Sequence, residues 1–253
     1  MNGNNRYDST RDAWENIWQS ANIQVELDAV QSARSLETIR AYEPYLPKND
    51  LILEAGSGLS AVVITLRERG YNVLGMDYAL NALQASRDFD GNLDLLAGDV
   101  HHLPFPDHSL GGYLSFGVLE HFEHGMGPAL REACRVLKPN GTLVLTIPYP
   151  NVVYQLVQLK RQMGDDSTLT DDEFYESTYN RAQLNGEVAK AGFRVLVSQP
   201  TSHAFTLWGL GGPFKGGGYY ETSPLAEAAG RVVKSTLPWA FNFMTLIVAR
   251  KLA

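Results

Sequence analysis

One cysteine, Cys134, is all that this 253-residue chain carries, so it has neither an intrachain disulfide framework nor a thiolate metal cluster. Long apolar runs are missing as well. The longest are of strand length, well short of a membrane span, and no stable membrane insertion is expected. Positive charge is also scarce: 21 Lys and Arg stand against 28 Asp and Glu, for a net charge of −7. Phosphate backbones are held by clustered Lys and Arg, and no dense basic run occurs here, so nucleic acid is not an expected partner. Met1 to Arg11 is polar and lacks the apolar core of a signal segment. A cytoplasmic setting is the expectation. Internal repeats and low-complexity linkers are absent too.

The chain does have the length and the 44% hydrophobic content of one α/β domain with a real core. From Leu51 to Ile147, apolar runs alternate with amphipathic stretches. The predicted strands are Leu51–Glu54, Asn72–Met76, Leu93–Leu96, Gly112–Phe116 and Thr142–Ile147. The predicted helices are Ala61–Arg69, Ala79–Arg87 and Pro128–Leu137. Such alternation implies right-handed crossovers and a parallel sheet. Pro139-Asn140-Gly141 reads as the turn that stops a helix and launches the next strand. Before this core, Asp12 to Ala41 reads as helical, with Trp14, Ile17 and Trp18 on one face. Beyond it come a helix over Asn151–Met163, an acidic segment from Asp165 to Glu176, a helix over Arg181–Ala191 and a strand over Phe193–Ser198. A long irregular excursion over 201–238 follows, rich in glycine and aromatics (Phe205, Trp208, Phe214, Tyr219, Tyr220), before the apolar strand Phe241–Ala249.

The chemistry gathers at the ends of the strands. Leu51-Ile52-Leu53-Glu54-Ala55-Gly56-Ser57-Gly58 is a buried strand, an acid and a glycine turn opening into a helix. Nineteen residues past Gly58 a second apolar run stops at Asp77, about where nucleotide-binding α/β folds set a carboxylate against ribose hydroxyls. Ala97-Gly98-Asp99-Val100 follows the third strand. Glu54, Asp77 and Asp99 are therefore expected in one crevice, binding an adenosine-containing ligand. Gly56, Gly58 and Ala61 also satisfy a dinucleotide fingerprint, the competing reading, although Glu54 would sit poorly beside a pyrophosphate. His101 and His102 invite a metal reading. Adjacent in sequence, they are expected to diverge, and no metal site is expected.

These residues resemble the class I S-adenosylmethionine-dependent methyltransferases, especially the small-molecule group. The likeness is carried by Glu54 to Gly58, Asp77, Gly98-Asp99, Leu103-Pro104-Phe105-Pro106-Asp107, Val118-Leu119-Glu120-His121 and Arg135 to Gly141, and spans roughly residues 50–150. Two departures stand out: Ser60 where a further glycine is frequent, and Leu110-Gly111 where Phe-Asp is usual. The resemblance implies a Rossmann-like α/β three-layer sandwich whose seven-stranded, mostly parallel sheet has an antiparallel last strand. It implies S-adenosyl-L-methionine as cofactor, held by Glu54, Gly56, Ser57, Gly58, Asp77, Tyr78, Asp99, Val100, Ser115 and Phe116. Asp77 would take the ribose, Asp99 with Val100 the adenine, the Gly56–Gly58 loop the methionyl part and Glu54 the amino group. The motif that marks base-amine methylators is missing at Ser115-Phe116-Gly117-Val118, again disfavouring nucleic acid.

The implied reaction is in-line methyl transfer to an O, N or activated C atom of a small-molecule acceptor. His121 is the candidate catalytic base, and Glu120 reads as a structural hydrogen-bond acceptor. One domain over 1–253 is expected, with a helical flap at 1–45, a cofactor-binding core at 46–150 and acceptor-facing insertions at 151–192 and 201–238. A nicotinamide-dependent oxidoreductase and a non-catalytic binding module are the alternatives. Oligomeric state is not legible.

Overall fold

Four consecutive buried residues make β1 (Ile52–Ala55), and their alternation decides which layer each one feeds. Ile52 packs into an apolar cluster with α3 (Ala33–Tyr42) and α4 (Ala61–Glu68). Leu53 and Ala55 point the other way, into the cluster built on α6 (Gly127–Val136) and α8 (Arg181–Lys190). Two apolar layers thus sandwich one sheet. The computed structural model describes residues 13–19, 21–163, 176–218 and 221–252.

The remaining strands are β2 (Val73–Asp77), β3 (Leu95–Ala97), β4 (Leu110–Phe116), β5 (Leu137–Pro148), β6 (Phe193–Thr201) and β7 (Met244–Lys251). They form a seven-stranded sheet in the order β3-β2-β1-β4-β5-β7-β6. Pairings from β3 through β5 are parallel, and β7 runs antiparallel to both of its neighbours. This is the expected Rossmann-like sheet with its antiparallel last strand. The strand order reverses at β1, which lies between β2 and β4, and that reversal opens a crevice at their carboxyl ends.

Several elements differ from the reading of the sequence. The helical stretch expected over Asp12–Ala41 is broken into α1 (residues 13–19), α2 (Ile23–Val30) and α3. Asn22 and Ser32 cause the breaks: each takes an extended backbone and accepts an N–H of the following helix, from Gln24 and Ser35. The Pro139–Gly141 turn is absorbed into β5. Leu110 pairs with Leu137 but Gly112 pairs with Thr142, so the turn is a bulge within the strand, with Asn140 at φ +63°. Gly111 is required beside it, since a Cβ there would stand 2.3 Å from Asp50 Cβ. Asp50 ion-pairs with Lys138, so a carboxylate still serves this strand start, from outside the strand.

The excursion over 201–238 is not irregular. It folds into α9 (His203–Trp208), a 3-10 turn and α10 (Pro224–Thr236). Gly230 makes this possible, because any side chain there would meet the Ala204 backbone at 2.8 Å. Of the stretch 151–192, α7 (Val152–Met163) is a separate helix, whereas α8 belongs to the sandwich, with Leu184 and Val188 fully buried. Most of the acidic segment, together with Tyr219 and Tyr220, lies outside the described residues. Among the described residues no helix is long and apolar enough to cross a membrane.

Candidate active site

The turn after β1 is built around left-handed backbone. Gly56, Gly58 and Ser60 have φ of +81°, +49° and +59°, so Ser60 adopts the conformation for which glycine is the usual choice. The N–H groups of Gly56 and Ser57 both donate to the Met76 carbonyl, at 2.8 and 3.0 Å, fastening the turn to β2. Asp77, at the end of β2, completes the frame. It accepts from the Gly58 N–H at 2.8 Å through one carboxylate oxygen and from the Ala79 N–H at 2.9 Å through the other.

A cavity of about 210 Å³ opens over this frame. Glu54, Gly56, Ser57, Gly58, Asp77, Tyr78 and Phe116 of the expected set line it. Trp14 and Trp18 of α1 close it from above, stacked on each other at 5.7 Å. Among the described residues, three carboxylates reach it, those of Glu26, Glu54 and Asp77, and no Lys, Arg or His lines it. Burial raises all three. Glu54, only 4% exposed, is pushed up to about 8 by desolvation and by the charge of Asp77, against the Val63 N–H. Asp77 is raised by burial against three backbone N–H groups, and Glu26 by burial against Arg34. Glu54 Oε2 has no hydrogen-bond partner among the described residues. A cationic ligand group would satisfy it and favour its ionised form. Glycines that let a ligand approach the backbone, and a described lining in which Glu54 and Asp77 face no basic side chain, fit a sulfonium and an ammonium far better than a pyrophosphate.

Three residues of the expected set lie elsewhere. Ser115 is buried in β4 and donates to the Ala55 carbonyl at 3.1 Å, stitching two strands together. Val100 is a core residue. Asp99 follows β3, but its carboxylate faces His101 Nδ1 at 3.0 Å and His102 Nδ1 at 3.4 Å. The two histidines therefore converge. The chain reverses at Asp99, where the His102 N–H donates to the Asp99 carbonyl, and both rings turn back on its side chain. Among the described residues no group of three His, Cys, Asp or Glu side chains could hold a metal ion. His121 lies in the 3-10 turn Leu119–His121 after β4, its ring edge-on to Trp14 at 5.3 Å.

Sequence reasoning missed Glu26, Val30 and Val118 as lining residues. Val118 fills the place of a Gly56 side chain, its Cγ2 being 2.3 Å from where that Cβ would stand. Glu26 did leave a signal, an acid on the apolar stripe of Ile23, Leu27 and Val30.

The comparisons agree with this geometry. Residues 53–145 match the family model described as a methyltransferase domain. The chain is 35% identical over 96 residues to a demethylmenaquinone methyltransferase of Paenarthrobacter aurescens, covering 38% of this chain and 36% of that protein. It is 27% identical over 121 residues to a malonyl-[acyl-carrier protein] O-methyltransferase of Yersinia pestis, covering 48% and 45%. The chain thus spans half or less of the length of these curated relatives. Among solved structures, the methyltransferase in complex with the Haloferax volcanii Trm112 activator superposes with a TM-score of 0.62 at 18% identity, covering 96% of this chain and 98% of that one. The sheet order and the methyltransferase-domain match over residues 53–145 together support a class I S-adenosylmethionine-dependent methyltransferase.

Proposed function

We propose that this protein transfers a methyl group from S-adenosylmethionine to an O, N or activated C atom of a small-molecule acceptor. The observation that carries the reading is Glu54, a buried acid with an oxygen unpartnered among the described residues, set beside Asp77 in a cavity that no described basic side chain lines. The bound donor supplies a methyl group on a positively charged sulfur. Glu54 would take its ammonium, Asp77 its ribose hydroxyls, and the Gly56–Gly58 backbone its methionyl part, with Tyr78 and Phe116 as walls. The adenine would fall to Asp99 and Val100 at the β3 end, where Asp99 would have to turn from His101 and His102 to receive it, and Ser115 holds β4 in register beneath the site. Holding the acceptor in line with the methyl is the main catalytic contribution expected of such a site. His121, edge-on to the lining residue Trp14, is a candidate proton acceptor.

A nicotinamide-dependent oxidoreductase is disfavoured by the same three carboxylates, which oppose a pyrophosphate. The relatives' acceptors, demethylmenaquinone and a malonyl-acyl-carrier protein, are chemically unlike each other. Acceptor choice is therefore assigned to the parts outside the matched segment, residues 151–192 and 201–238. A lone cysteine and an acidic composition favour a cytoplasmic setting.

Calorimetric titration with S-adenosylmethionine and S-adenosylhomocysteine, with NADH as control, tests the reading. Micromolar binding of the first two and none of NADH is expected. Absence of binding, or an NADH signal, would overturn it.

A further inference from the structure

Glu120 is 1% exposed, in the turn that follows β4, and its Oε2 has no hydrogen-bond partner among the described residues. A native chain seldom leaves a buried carboxylate oxygen unpaired, and such exceptions gather where a ligand binds or reacts. The other oxygen, Oε1, lies 3.6 Å from the point where a Gly117 side chain would begin, and Met244 Cε lies 3.8 Å from that point. Gly117 itself lines the cavity, at φ +69°. Glu120 does not itself line the cavity, but its carboxylate neighbours Gly117, a lining residue that has no side chain.

A second acid is held nearby. The Ser177 N–H and hydroxyl both donate to the Glu120 carbonyl, at 2.9 Å each, which brings Glu176 alongside. Among the described residues, the titratable groups beside Glu120 are His121 of its own turn, which faces Trp14, and Glu176 of the packed segment. Burial and the Glu176 charge push Glu120 up to about 8, where a carboxylate can exchange a proton near neutral pH.

We propose that Glu120 receives the methyl acceptor as a protonated amine and removes the proton that blocks its nitrogen. This rests on the methyl-transfer reading of the donor site. Two neighbouring carboxylates repel a carboxylate or phenolate acceptor and attract an ammonium. Glu120 takes one N–H proton and becomes neutral. The freed nitrogen lone pair forms the N–C bond to the methyl carbon as the C–S bond breaks, its electron pair staying on sulfur. Sulfur ends as a neutral thioether, and the methylated nitrogen carries the positive charge.

Sinefungin, an adenosyl donor analogue with an amino-bearing carbon in place of the methyl-bearing sulfur, puts a cation where the acceptor nitrogen would react. The wild-type protein should bind sinefungin at least tenfold more tightly than S-adenosylhomocysteine. Glu120→Gln should lose that preference about tenfold while its S-adenosylhomocysteine affinity stays within twofold, which also reports an intact fold. Glu120→Asp should keep part of the preference. Equal losses of both ligands, or an unchanged preference in Glu120→Gln, would overturn the proposal while leaving the donor reading standing. Failure of the wild type to bind S-adenosylhomocysteine would overturn both. Methyl-release assays on arylalkylamines and the matching alcohols and phenols should favour the amines, and turnover of the hydroxyl compounds alone would overturn the amine assignment.

Discussion

Trp18 occupies the space that a side chain at Gly58 would need: its Cζ2 lies 2.5 Å from where that Cβ would stand. The indole is thus laid directly on the turn that ends β1, and it reaches that turn from α1, forty residues earlier in sequence. Asn81 holds α1 in place by donating to the Glu15 carbonyl at 2.6 Å.

Gly58→Ala should therefore fail twice, through a strained φ and through collision with Trp18. A loss of about 1–3 kcal/mol in stability is expected by thermal unfolding, with at least a tenfold loss in S-adenosylhomocysteine affinity. The cavity of about 210 Å³ is smaller than the ~300–1,000 Å³ of most ligand pockets, so donor binding should displace the Trp14–Trp18 pair. Binding should shift tryptophan emission in the wild type, and the shift should shrink strongly in Trp18→Phe.

Glu54 ties stability to pH. Folded, it keeps its proton to about 8, well above its ordinary value of 4.5. Between these values the folded chain binds more protons than the unfolded one, so stability falls as pH rises through the window. Glu54→Gln should make the ligand-free protein about 1–3 kcal/mol more stable at pH 8–9, with little difference near pH 4. Its donor affinity should drop at least tenfold. Because a bound ammonium favours the carboxylate, wild-type binding near pH 7 should release protons. Calorimetry in buffers of different ionisation enthalpy measures that release.

Asp77 serves both the turn and the proposed ribose site. Asp77→Ala removes the acceptor for the Gly58 and Ala79 N–H groups and should weaken S-adenosylhomocysteine binding by about 1.5–3 kcal/mol. Unchanged affinity would mean that the ribose lies elsewhere.

His121 touches Trp14 edge to face, a contact worth about 0.5–1.5 kcal/mol. His121→Ala should lower donor affinity and turnover by the same three- to tenfold. A much larger fall in turnover would make the imidazole the proton acceptor.

Gly111→Ala separates fold from site. The new methyl collides with Asp50 and should cost about 1–3 kcal/mol of stability, leaving donor affinity within twofold.

The strands and the acid at the end of each were legible because local rules govern them. An apolar run ending in Glu54-Ala55-Gly56 reads as a strand and a turn whatever surrounds it, and the register of β2 against β1 then carries Asp77 to the same end of the sheet. Asp99 obeyed the same rule, yet its carboxylate turned to His101 and His102, because a side-chain torsion is settled by neighbours and not by strand position. Glu120 read as a structural hydrogen-bond acceptor, and only packing revealed that no donor among the described residues reaches its Oε2.

By itself, the sequence determined the sheet, its glycine turn and the acids at its edge. Hydrophobic period and glycine backbone freedom act over a few residues and need no partner. The tertiary structure alone decided that Trp18 covers Gly58, that Val118 fills the place of a Gly56 side chain, and that Glu26 joins Glu54 over one cavity. Those relationships join residues far apart in the chain, and they exist only once close packing has chosen which side chain fills each space.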